Sequence, residues 1–131
     1  MLHTKCILSP KHASDGIRIS VMSRHTLSDG ITPDLRIRNN AYEIHLRLLA
    51  PSPKLIGNYH KRNLAWADFE KRYLEEIRTA PKNSIIKLIA QMALKEDLTI
   101  MCIEDKADFC HRRLLAEECQ RYEPALEISH Q

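Results

Sequence analysis

A chain of 131 residues with 44% hydrophobic and 28% charged side chains has the size and usage of one globular core, which excludes a disordered, fibrous or low-complexity polymer. Its formal net charge of +3 names no partner by itself, and its three glycines, Gly16, Gly30 and Gly57, exclude the Gly-rich phosphate loops, which need several glycines close together. No stretch approaches the roughly 20 consecutive apolar residues of a membrane span, and Met1–Pro10 lacks the long apolar run of a secretory leader, so the expectation is a single-domain cytoplasmic protein.

Thr4–Ser9 is a short apolar run closed by Pro10, and in Ile17–Ser23 the residues Ile17, Ile19 and Val21 alternate with Arg18, Ser20 and Met22. Both segments read as strands. From Arg24 to Asn40 the polar residues, Gly30 and Pro33 break every period, giving a loop long enough to be functional or mobile. Tyr42–Leu49 fits strand or helix, and Ala50-Pro51-Ser52-Pro53 ends it, because a residue before proline is pushed out of helical geometry.

Asn63 is the expected N-cap of a helix over Leu64–Thr79, in which Trp66, Phe69, Tyr73 and Ile77 recur on one face. Aromatics at that spacing are read as core rather than as a base-stacking platform. Pro81 opens a second helix reaching about Lys95, with Ile85, Leu88, Ile89 and Met92 on its stripe. Leu98–Ile103 is apolar except for Thr99, the pattern of a strand buried on both faces. A last helix over Phe109–Tyr122 stops before Pro124, and Ala125–Ser129 adds an edge strand. The predicted fold class is α/β: a small, single-domain, open and mostly parallel sheet with helices on both faces.

Ligands of open α/β sheets bind beyond the carboxyl ends of the strands, which directs attention to Ile100–Tyr122. Glu104 and Asp105 follow the strand, and Asp108 is the expected N-cap, placing Phe109, Cys110 and His111 in a first turn that favours an anion or a thiolate. Cys110 is therefore expected to titrate low and react readily, against the alternative of an inert packed thiol. At about 100° per residue, Leu114, Leu115, Cys119 and Tyr122 share a side with His111 and Glu118, while Arg113 projects away. His111 reads either as a core imidazole bonded to a backbone carbonyl or as a ligand or general base.

Spacing removes two mechanisms. A phosphatase loop needs an arginine six residues after its cysteine, whereas Ala116 and Asp108 stand there after Cys110 and Cys102. CxxC and HExxH motifs are absent, and Cys110 and His111 diverge on a helix, so no metal and no cofactor are expected. The four cysteines, Cys6, Cys102, Cys110 and Cys119, are read as reduced thiols. Charge is unevenly spread: residues 1–65 hold ten Lys and Arg against four Asp and Glu, whereas residues 66–131 hold ten against thirteen. The first half suits an anionic partner.

Ile19-Ser-Val-Met-Ser-Arg-His-Thr-Leu27 with Asp29-Gly30, then Leu49-Ala-Pro-Ser52, Leu55-Ile-Gly57, Tyr59-His-Lys61, Trp66, Phe69, Arg72-Tyr73, Cys102-Ile-Glu104 and Cys110-His-Arg112 with Leu114-Leu-Ala-Glu117 run through most of the chain. This series resembles the bacterial and archaeal domain of unknown function 488 family. The resemblance implies a compact cytoplasmic α/β protein and names no reaction. A related branch lacks the cysteine of the Cys-His-Arg block, which shifts weight from a nucleophile at Cys110 toward an anion pocket.

The leading reading sets Arg24, His25 and Thr26 across one crevice from Cys110, His111 and Arg112. The arginines would grip a phosphate or nucleotide-like ligand, and Glu104 or His111 would move a proton. A second reading is a nucleic-acid module using Arg36, Arg38, Arg47, Lys54, Lys61 and Arg62. A third is an interaction or structural homodimer without a catalytic site.

Overall fold

Leu98–Cys102 has no polar face to offer water, and in the computed structural model, which describes residues 1–131, it is the middle strand of the sheet. Five strands, β1 (Leu2–Cys6), β2 (Ile17–Ser20), β3 (Ile44–His45), β4 (Leu98–Cys102) and β5 (Ile128–His130), run parallel in the order β3-β2-β4-β1-β5. β4 pairs with β1 from Leu2↔Leu98 to Cys6↔Cys102 and with β2 from Ile17↔Leu98 to Ser20↔Met101. The carboxyl ends of these three strands therefore lie together. This is the small open α/β sheet that the sequence predicts.

Four helices complete the fold: α1 (Pro53–Lys61), α2 (Trp66–Ile77), α3 (Lys82–Ala93) and α4 (His111–Tyr122). Leu55 of α1, Tyr73 of α2, Ile89 of α3 and Leu115 of α4 share one core with Leu2, Ile19, Leu98 and Ile100 of the sheet. Successive strand residues point to opposite faces, so all four helices lie against the face that carries Leu98 and Ile100. The expectation of helices on both faces is corrected.

The opposite face carries Lys5, Arg18, Ser20, Thr99 and Met101, all buried. Lys5 Nζ lies 3.0 Å from Asp15 Oδ2, Thr99 Oγ1 donates to Asp15 O at 2.6 Å, and Arg18 Nη2 donates to Glu43 Oε1 at 2.6 Å and to Asn40 O at 2.7 Å. The side of a helix offers few free backbone groups, whereas an irregular segment supplies the carbonyls that buried cations need. Irregular chain covers this face for that reason.

Element ends differ from expectation where local hydrogen bonds intervene. β1 stops at Cys6, whose carbonyl accepts from Ser9 N at 3.0 Å in a turn, and β2 stops at Ser20. Tyr42–Leu49 divides into β3 and a 3-10 turn at Arg47–Leu49. Pro53, which closes the preceding segment, also opens α1, and Ser52 Oγ caps it by accepting from Leu55 N at 3.2 Å. Asn63 does not cap α2. It sits at φ 54°, the left-handed region that asparagine tolerates, and Ala65 precedes the helix without a side-chain bond.

No helix is long and apolar enough to cross a membrane.

Candidate functional site

The chain leaves β4 at Cys102 and returns as α4 at His111. Cys110, at φ −134° and ψ 140°, is extended and stands before the helix as its N-cap, so Asp108 is not the cap and α4 starts two residues later than expected. Extended geometry turns the Cys110 side chain away from the helical progression that the sequence pattern assumes.

Met22–Arg24 at the exit of β2, Cys102–Glu104 at the exit of β4 and Phe109–His111 wall a crevice of about 150 Å³. Tyr59 and His60 of α1 and Trp66 and Phe69 of α2 close it. A larger cleft of about 770 Å³ shares Ser23, Arg24, Pro51, Ile56 and His60 with the crevice. Its lining adds Arg47, Lys61 and Lys82 and includes no aspartate or glutamate.

Arg24 is exposed where the two concavities join, and its Nη1 donates to Gly30 O at 3.4 Å, a long bond. Gly30 has φ +73°, and a Cβ there would stand 2.3 Å from Arg24 Nη1. The positive φ is what favours glycine here, since the exposed tip of Arg24 can move aside.

Of the residues singled out from sequence, Arg24, Glu104, Cys110 and His111 border the crevice, whereas His25, Thr26 and Arg112 do not. His25 Nε2 meets Ser20 Oγ at 2.7 Å and its ring stacks on Tyr42; burial and the neighbouring His45 hold the imidazole below its ordinary pKa, favouring the neutral form. Thr26 donates to Leu27 O and bridges Pro33 within its own loop.

Arg112 is fully buried, donating to Glu104 O at 2.5 Å, Asp105 O at 3.2 Å and Cys110 Sγ at 3.6 Å. The expected joint grip of Arg24 and Arg112 on one oxyanion is corrected. The strand-to-helix corner turns its carbonyls inward, and Arg112 satisfies them. Arg113 projects away as expected, reaching Glu117 Oε1 at 2.8 Å and Asp108 O at 3.1 Å.

His111 Nε2 donates to Val21 O at 2.9 Å, which turns Nδ1 toward Cys102 Sγ at 3.9 Å. This is the carbonyl-bonded imidazole of the two readings, with its second nitrogen facing thiols. Cys110 is 2% exposed. Its hydrogen bond with Cys102, and then burial, push the thiol well above the ordinary range and outweigh the opposing effect of His111. The expected low-titrating thiol is therefore corrected. Glu118 is buried as the helical pattern requires, and Arg78 and Arg121 neutralise it.

Sequence reasoning missed Cys102 as a neighbour of Cys110 and His111, missed Lys82, and assigned Arg47 and Lys61 to a nucleic-acid surface rather than to a cleft shared with Arg24. Cys102 ends a recognisable strand, and that is the signal which could have found it. The three cations come from separate elements, and no local pattern joins them.

A protein-family model described as the Active DUF488-N3 subclade matches residues 2–123, nearly the whole chain. No curated protein and no solved structure matches it.

Proposed function

The chain belongs to the domain of unknown function 488 family, and from that premise we propose that it binds a nucleotide-like anion at the ends of β2 and β4. The phosphate occupies the larger cleft and the uncharged part enters the crevice. The observation that carries this reading is the cleft's lining, in which Arg24, Arg47, Lys61 and Lys82 gather without a carboxylate. Like charges around one concavity raise its potential and attract an anion. Arg24 has no carboxylate partner and offers a forked pair of donors.

The crevice suits the other half of the ligand. Trp66, Tyr59 and Phe109 line it with aromatic rings, and Glu104 accepts from an amino or hydroxyl group while repelling phosphate. That opposition sets the orientation. The word active in the subclade description favours turnover here over binding alone, and Glu104 is the crevice carboxylate that we assign to proton transfer.

Calorimetric titration at low salt with inorganic phosphate, a nucleoside and its monophosphate tests the reading. The monophosphate binds more tightly than either fragment if both concavities are used. Equal, weak heats from all three overturn it.

A further inference from the structure

Cys102 ends β4, Cys110 precedes α4 and His111 opens it, yet their sulfur and nitrogen ligand atoms all lie within 4.8 Å of one another. We infer that Cys102 Sγ, Cys110 Sγ and His111 Nδ1 form a binding site for a transition-metal dication, Zn²⁺ by ligand preference, with its fourth position facing the crevice.

The sequence argument against a metal rests on the absence of CxxC and HExxH, which a site assembled across the fold does not need, and on Cys110 and His111 diverging as neighbours on a helix. The extended backbone of Cys110 removes that premise, and β4 supplies the third donor from across the corner. Two thiols and one imidazole are the soft-to-borderline set that selects zinc over magnesium or calcium. Zinc sits about 2.3 Å from sulfur and about 2.0–2.1 Å from nitrogen, so tetrahedral ligands stand roughly 3.5–3.8 Å apart. Closing the cluster from its limit of 4.8 Å therefore needs movement of only about 1 Å.

The surroundings orient these ligands as metal sites do. A ligating histidine donates its other nitrogen's hydrogen to a carbonyl or carboxylate, and His111 Nε2 donates to Val21 O at 2.9 Å. Arg112 Nη1 donates to Cys110 Sγ at 3.6 Å, which fixes the position of that ligand atom. All three ligand residues also line the crevice, which puts the open coordination position there. On binding, both thiols release their protons to solvent, and the two thiolates balance the dication. The site does not depend on the anion reading and stands if no phosphate binds.

The test uses the full chain, stripped with chelator and kept reduced, titrated with Co²⁺ and then with Zn²⁺ against a chromophoric chelator. One equivalent of Co²⁺ produces tetrahedral visible bands and a thiolate-to-cobalt charge-transfer band, and one equivalent of Zn²⁺ abolishes both. Cys102→Ser and Cys110→Ser each weaken Zn²⁺ at least roughly ten-fold and halve the charge-transfer intensity, while Cys119→Ser changes neither. The cobalt spectrum is read on the unaltered protein, so it decides even if a serine variant does not fold. Absence of the charge-transfer band, or Zn²⁺ affinity unchanged in both serine variants, overturns the proposal.

Discussion

Arg112, fully buried and without a carboxylate partner, donates to the carbonyl of Glu104 at 2.5 Å and so fastens the corner that holds Glu104 at the crevice. Its second bond, to Asp105 O at 3.2 Å, spans the next peptide. The arginine that stands in the Cys-His-Arg block is thus a brace for the site and not one of its ligand contacts.

Arg112→Ala leaves two inward carbonyls without their donor and opens a cavity. A loss of stability on the order of 3 kcal/mol follows. Arg112→Lys restores the charge but not the two-point span, and recovers only part of it. Urea unfolding measures this as a lower midpoint at unchanged slope. A wild-type midpoint in the alanine variant contradicts the brace.

Stability should fall in two steps on acidification. Burial, and then His45, lower the folded-state pKa of His25, so its contribution is present above about pH 6.5 and is lost as pH falls through the folded value. The second step belongs to carboxylates. Hydrogen bonds from Arg18 hold Glu43 below its ordinary range; burial pushes Asp15 up, but the His12 amide and Lys5 outweigh it. Both folded pKa values are depressed, so stability is intact above about pH 4.5 and declines below it. Thermal melts across pH read both steps. His25→Gln should flatten part of the first, which it shares with His130, whose pKa burial also lowers, and Glu43→Gln part of the second; identical profiles in the variants contradict the assignment.

Polynucleotide binding should be weak and independent of sequence. Of the six cations in the nucleic-acid reading, Arg47 and Lys61 line the cleft, Arg36 is held by Asp34, and Arg62 donates to Asn58. Few are left to contact phosphates together, so affinity for DNA or RNA should vanish between about 50 and 200 mM salt. Fluorescence anisotropy measures it. Tight binding that survives the higher salt reverses the preference for a small ligand.

The parts of this protein that read from sequence are those in which one physical demand repeats locally. Leu98–Cys102 must be buried on both faces, and Phe69, Tyr73 and Ile77 return to the same side of α2 every turn, so a central strand and a core helix follow from pattern alone. Pro53 was harder, because one proline serves as the stop of one segment and the start of α1. The site was legible as a place, beyond the β4 end, but not as a set of contacts. Whether Arg112 faces a ligand or two carbonyls depends on where peptide planes point, and residue order carries no sign of that. Cys102 joins Cys110 and His111 across a turn of the chain, and Arg47, Lys61 and Lys82 meet only because α1, α3 and the turn before α1 converge.

Binding of a nucleoside monophosphate by Arg24→Ala and Arg38→Ala proteins tests the central claim most directly. Both arginines are exposed, so neither change should move the melting temperature, but only Arg24 lines the crevice and the cleft. A charge-assisted hydrogen bond contributes about 1.5–3 kcal/mol, so Arg24→Ala should weaken the monophosphate about ten-fold or more in calorimetry, with Arg38→Ala indistinguishable from wild type. Equal affinity in the two variants would contradict an anion site at Arg24.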